Sequence, residues 1–82
     1  MVTASQCRAA RGLLDWTQQE LADAARIGVA TVRLFEGDGL GARHSTLAMI
    51  RQALEAAGVE FIEENGGGPG VRLRKRMSKL KK

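Results

Sequence analysis

The 82-residue sequence predicts a mainly α-helical domain of four short helices followed by a C-terminal β-hairpin. Between Thr3 and Gly58, apolar residues recur at helical spacing. Within that stretch, Thr3 with Gln6 and Thr17 with Glu20 have the spacing of capping boxes, in which a hydroxyl and a longer polar side chain each satisfy a backbone N–H at a helix start. From Val59 the period changes to two, and a glycine-rich run separates two short segments.

The first helix starts from Thr3 and runs to about Leu14, with Cys7, Ala10 and Leu14 on its apolar side. Asp15 and Trp16 form the connection, and Trp16 is expected to enter the core as its one large anchor. Thr17 opens the second helix, which places Leu21, Ala22 and Ala25 on one face and stops near Arg26 because Gly28 follows. The third helix is read from Gly28 to Glu36, ended by Gly37-Asp38-Gly39. Ser45 is the expected cap of a fourth helix, Thr46 to Ala57, with Leu47, Ile50, Leu54 and Ala57 inward and Gly58 stopping it. Val59 to Glu63 and Val71 to Arg74 read as strands, with Glu60 and Glu63 facing Arg72 and Arg74. The intervening Asn65 to Gly70 has the glycines and proline of a turn. No Gly-Lys-Ser/Thr follows those glycines, so a connection is preferred to a phosphate-cradling loop.

The stretch from Thr17 to Gly37 is the most informative. It is two short helices joined by a tight turn. With about 100° per residue on the second of them, Gly28, Val32 and Phe35 share one side and Thr31 lies at its edge. Val29, Ala30, Arg33 and Leu34 point the other way. A surface helix ordinarily shows charged and polar groups there; this one shows small or branched apolar groups and one arginine. A DNA major groove accepts that mixture, because apolar side chains pack on thymine methyls and arginine bonds guanine edges or phosphates.

These residues resemble the helix-turn-helix family of Cro, the phage repressors and the Xre-type bacterial regulators. The matching pieces are Arg11-Gly12, Thr17-Gln18-Gln19-Glu20-Leu21-Ala22, Thr31-Val32 and Phe35-Glu36-Gly37, and the resemblance covers roughly Thr3 to Gly58. It implies a four-helix repressor-like domain that binds double-stranded DNA. It implies further that Gln18 touches phosphate, that Val29, Ala30 and Leu34 occupy base-reading positions with Arg33 beside them, and that Arg11 and Glu36 form a buried salt bridge. Many relatives carry Gln, Ser, Asn or Arg at the base-reading positions. Here Val29, Ala30 and Leu34 offer no hydrogen bonds, which shifts specificity toward thymine methyls, Arg33 and DNA shape.

Composition bounds the remaining choices. A chain of 82 residues is one small domain with a marginal core, for which oligomerisation is a common remedy. It divides into residues 1–58, the DNA-binding unit; 59–75, the hairpin; and 76–82, a basic disordered tail. The single cysteine, Cys7, excludes an internal disulfide and suits a reducing, cytoplasmic setting. No apolar run has the length of a membrane span. The net charge is +4, yet Arg72 to Lys82 carries seven positive charges and no acid, so the other 71 residues total −3. Placement therefore matters more than the sum. Arg26, Arg33, Arg43 and His44 flank the groove-facing side, and the tail either adds phosphate contacts or serves as a solvated end. The start of the last helix, at His44 and Ser45, either offers its free N–H groups to a phosphate or, for His44, is a plain surface loop.

A lone two-stranded hairpin is barely stable in water, and its open edge invites a second copy. Val59, Phe61, Ile62, Val71 and Leu73 are the expected dimerisation residues. The functional expectation is a homodimeric transcriptional regulator, a repressor, on a palindromic operator. The alternative is an antitoxin or another interaction module on the same fold, with a toxin or other regulator as its protein partner. An enzyme is not expected: no catalytic residues, metal ligands or cofactor motif are evident, with one His, one Cys and no Tyr in the chain.

Overall fold

A computed structural model of the chain describes residues 2–38, 42–63 and 66–74. The basic tail, the end of the hairpin unit at residue 75, Gly39 and Asn65 lie outside the described residues. Four helices, α1 (Ala4–Leu14), α2 (Gln18–Ala25), α3 (Val29–Asp38) and α4 (His44–Ala56), precede two antiparallel strands, β1 (Val59–Ile62) and β2 (Gly70–Leu73).

Both capping boxes form. The Gln6 N–H donates to Thr3 Oγ1 at 3.0 Å and Gln6 Oε1 accepts from the Thr3 N–H at 3.0 Å. At α2 the Glu20 N–H donates to Thr17 Oγ1 at 3.0 Å, and Glu20 Oε1 accepts from the Thr17 N–H at 2.8 Å. Both helices end on a left-handed residue that is not glycine, Asp15 (φ 62°) and Arg26 (φ 61°). The turn between α2 and α3 is thus made by Arg26, not by Gly28. An Ile27 N–H to Ala22 carbonyl bond of 3.0 Å closes α2 and compensates the steric cost of that conformation. Gly28 acts as the start of α3 instead, its carbonyl accepting from Thr31 (3.0 Å) and Val32 (3.4 Å).

The third helix runs on to Asp38, two residues past the expected Glu36. Gly37 is helical because glycine tolerates that conformation at a modest entropic cost. The fourth begins one residue before the expected cap. Arg43, extended at φ −76°, ψ 161°, holds the N-cap position with no side-chain capping bond, and its carbonyl accepts from Leu47 at 2.9 Å. Ser45 is therefore inside the first turn. Gly58, at φ 110°, ends this segment in a conformation that only glycine adopts readily.

The helices and the hairpin share one core. Its fully buried members include Leu21, Ile50, Leu54, Val32, Val59 and Cys7, one or more from each of the four helices and from β1. Helix α2 packs against α3 and α4, and α1 against α3 and both strands. Phe35, at 3% exposure, is the large aromatic of this core. Trp16, expected there, is half-buried and packs on its margin.

In the hairpin, Val59 pairs with Leu73, Glu60 with Arg72, Phe61 with Val71 and Ile62 with Gly70. Opposed residues lie on one face, so Val59, Phe61 and Val71 turn together toward the helices and pack in or against the core. Gln6 Nε2 donates to the Gly70 carbonyl at 3.0 Å and ties β2 to α1. Arg72 pairs with Glu60 at 2.9 Å as expected. Glu63 does not meet Arg74, because this register sets them at opposite ends of the hairpin, Arg74 beside Gly58, whose carbonyl accepts its N–H at 2.7 Å, and Glu63 at the turn end. Glu63 lies 3.6 Å from Arg51, while Arg74 donates to the Glu55 carbonyl at 2.8 Å.

The dimerisation set also changes. Val59 is wholly buried in its own chain, and Phe61 is covered by the Arg51 guanidinium 4.8 Å from its ring centre. Leu73 stays 40% exposed. Since Leu54 is fully buried where α4 meets the rest of the core, Leu54→Ala is expected to cost about 2–5 kcal/mol of stability, measured by urea denaturation.

Candidate nucleic-acid interface

The exposed face of α3 follows from what anchors the helix behind it. Val32 and Phe35 are buried at 0% and 3% exposure. The next residue, Glu36, is a buried carboxylate at 4% exposure, which is costly without partners. It has several. Arg11 Nε donates to Glu36 Oε2 at 2.7 Å and Arg11 Nη2 to Oε1 at 2.8 Å, a two-pronged ion pair between α1 and α3. Gln18 Nε2 donates to Oε1 at 3.0 Å, and the Cys7 thiol to Oε2 at 3.1 Å. Arg11 Nη1 also donates to the Trp16 carbonyl at 2.9 Å, and Arg8 donates to the carbonyl of Glu36.

This network bolts α1, the start of α2 and the end of α3 together. Burial by itself raises the Glu36 carboxyl, but hydrogen bonds from Arg11, Gln18 and Cys7 and the Arg11 charge outweigh it and hold it below its ordinary value. Burial, followed by the bond and charge of Glu36, pushes the Cys7 thiol far above its own ordinary value, so it stays a protonated donor.

With its inner side held, α3 presents Ala30, Arg33, Leu34 and Gly37, all exposed. Leu34 is 53% exposed, a position where burial would be favourable. Val29, expected outward, is half-buried and packs against the core, because the first turn of α3 lies close to the rest of the domain. Gly28 is exposed at the helix start. Gln18, assigned a phosphate contact by the resemblance, is half-buried with one amide N–H committed to Glu36.

The arginines separate into two groups. Arg11, Arg51 and Arg72 are ion-paired, and Arg8 and Arg74 donate to carbonyls. Arg26, Arg33 and Arg43 are exposed and, among the described side chains, which do not include that of Asp38, have no carboxylate within ion-pair distance. Arg26 stands at the α2–α3 turn and borders a shallow cleft with Met49, Gln52 and Ala53 of α4; Arg43 and His44 stand at the start of α4, beside its uncapped N–H groups. These three cations thus belong to the elements around the α3 face.

Sequence reasoning missed Arg8, the Cys7 thiol contact and the Gln6 contact to β2. Helical period places Cys7, Arg8 and Arg11 within about one turn of each other, so they are neighbours on α1, but it does not say which helix they meet. Among the described residues, no group of three His, Cys, Asp or Glu side chains is placed to hold a metal ion, and no helix is long and apolar enough to cross a membrane. The chain matches no protein-family model and no curated protein sequence.

Glu36 makes a pH prediction with a defined sign. A carboxyl lowered on folding stabilises the native state above its ordinary value of 4.5, and the contribution disappears as pH falls through the lowered native value. Arg11→Ala is expected to cost about 3–5 kcal/mol at neutral pH, because it strands a buried carboxylate. Urea denaturation of both proteins from about pH 3 to 7 should show a steeper acid-side loss in the parent than in the variant.

Proposed function

We propose that the chain is a sequence-specific DNA-binding transcriptional regulator of the helix-turn-helix kind, a repressor that binds a palindromic operator as a homodimer in the cytoplasm. The observation that carries this reading is the α3 face: Ala30, Arg33 with no carboxylate partner among the described side chains, and half-exposed Leu34, on a helix held from behind by Arg11 and Glu36. A rigid, preorganised helix meets a groove without losing further conformational entropy. In this reading Ala30, Arg33 and Leu34 meet base edges, with Val29 and Gly28 shaping the approach of the helix start. Arg26, Arg43, His44 and the outward part of Gln18 fix the register on phosphates. Repression is steric, the bound dimer occluding polymerase.

The hairpin suits a dimer contact because a two-stranded sheet leaves an unpaired edge on each strand, with Ile62 and Leu73 beside those edges. A shared sheet would set two recognition helices for half-sites roughly 34 Å apart. The exposure of Leu34 and Leu73 also favours a second reading, an antitoxin-type module whose partner is a toxin or other regulator.

Selection from random duplexes at two salt concentrations tests the first reading: it is expected to return a symmetric motif whose affinity falls steeply with salt. Arg33→Ala should weaken binding to that motif by about 1–3 kcal/mol, and unchanged affinity would remove Arg33 from the reading set. Sedimentation should show a dimer at micromolar concentration; a stable folded monomer would overturn the shared-sheet arrangement.

A further inference from the structure

We infer that the α3 face selects 5-methylpyrimidines, thymine and 5-methylcytosine alike, ahead of any particular base pair, with a neighbouring guanine read by Arg33. This inference rests on the DNA-reading proposal and specifies the chemistry it recognises. The outward arc of α3 is Ala30, Arg33, Leu34 and Gly37, every one exposed. Only Arg33 among them carries a hydrogen-bonding side chain.

Thymine and 5-methylcytosine share the C5 methyl group and differ at position 4, an acceptor oxygen in one and an amino donor in the other. Leu34 and Ala30 have nothing with which to sense that difference. What they can sense is the methyl, by dispersion and by removal of apolar area from water.

Approach distance supports the same assignment. Dispersion contacts require carbon atoms within about 4 Å, so the helix must come close. Ala30 has a single side-chain carbon and Gly37 has none. Around Gly37, apart from its chain neighbours and its own helix backbone, no described atom lies within 4 Å of where a Cβ would stand, and its φ is not positive, so no described packing and no backbone conformation demands glycine there. Leu34 is then the one apolar group that protrudes from the arc, and it is 53% exposed. Thr31, the nearest hydroxyl, is half-buried at the edge of the face. Arg33 is exposed, has no carboxylate partner among the described side chains, and has the donors to bond guanine N7 and O6 beside the methyl.

The test uses the full chain and the duplex recovered by random selection. Each thymine is replaced in turn by uracil, which removes the methyl and nothing else. Loss of about one buried methyl corresponds to roughly a fourfold loss of affinity at each contacted thymine. At the same positions a cytosine duplex is compared with its 5-methylcytosine counterpart, and methylation is expected to restore most of the affinity. Leu34→Ala, a change at an exposed position, should abolish the thymine–uracil difference, whereas Arg33→Ala should preserve it and lose the guanine preference. Uracil duplexes binding as tightly as thymine duplexes, or methylation without effect, would overturn the inference while leaving DNA reading intact. Failure of the selection to enrich any sequence would overturn the DNA-reading proposal itself.

Discussion

The Glu36 carboxylate, buried at the C-terminal half of α3, is the constraint around which this domain is arranged. A buried charge must be matched, and the match comes from three separate places: Arg11 and Cys7 on α1, and Gln18 at the start of α2. Each partner lies on a different turn or element, so the carboxylate is satisfied only when the three helices hold one relative position. An apolar contact could slide by a fraction of an ångström at little cost; a two-pronged guanidinium–carboxylate pair cannot. The bridge specifies geometry more than it supplies net stability, since ion pairs of this kind roughly balance their desolvation.

That geometry has a direct consequence for the outer face. A fixed back lets α3 keep one orientation while Leu34 and Arg33 stand exposed, Arg33 with no carboxylate partner among the described side chains. The cations that are used internally, Arg11, Arg51 and Arg72, stand apart from Arg26, Arg33 and Arg43, which are exposed on and around α3 and have no carboxylate partner among the described side chains. The proposed DNA partner rests on this division, in a chain whose first 71 residues are net acidic.

The hairpin contributes to the fold before it contributes to any assembly. Val59 completes the core, Phe61 sits beneath Arg51, and Gln6 holds the Gly70 carbonyl. A two-stranded sheet of this size is stable only through such contacts. What remains for another chain is the backbone edge, Ile62 and Leu73, a narrower surface than the apolar content of the strands suggested.

Local rules were enough to read the elements. Helical periodicity, the two capping boxes and the change of period at Val59 determined the number, order and type of elements, because each depends on residues within one or two turns. Gly58 as a helix stop was legible for the same reason. The outward placement of Ala30, Arg33 and Leu34 followed from period alone. The left-handed turn at Arg26, the start of α4 at His44, the inward packing of Val29 and the burial of Val59 were decided by tertiary structure. So were the engagement of Gln18 by Glu36 and the marginal place of Trp16. For Val29, Val59, Gln18 and Trp16 the deciding contacts come from groups distant in sequence, where closing the core or satisfying a buried charge outweighs a local preference worth about 1 kcal/mol; at Arg26 and Arg43 the backbone bonds that close α2 and open α4 are local, and the side-chain type alone does not announce them.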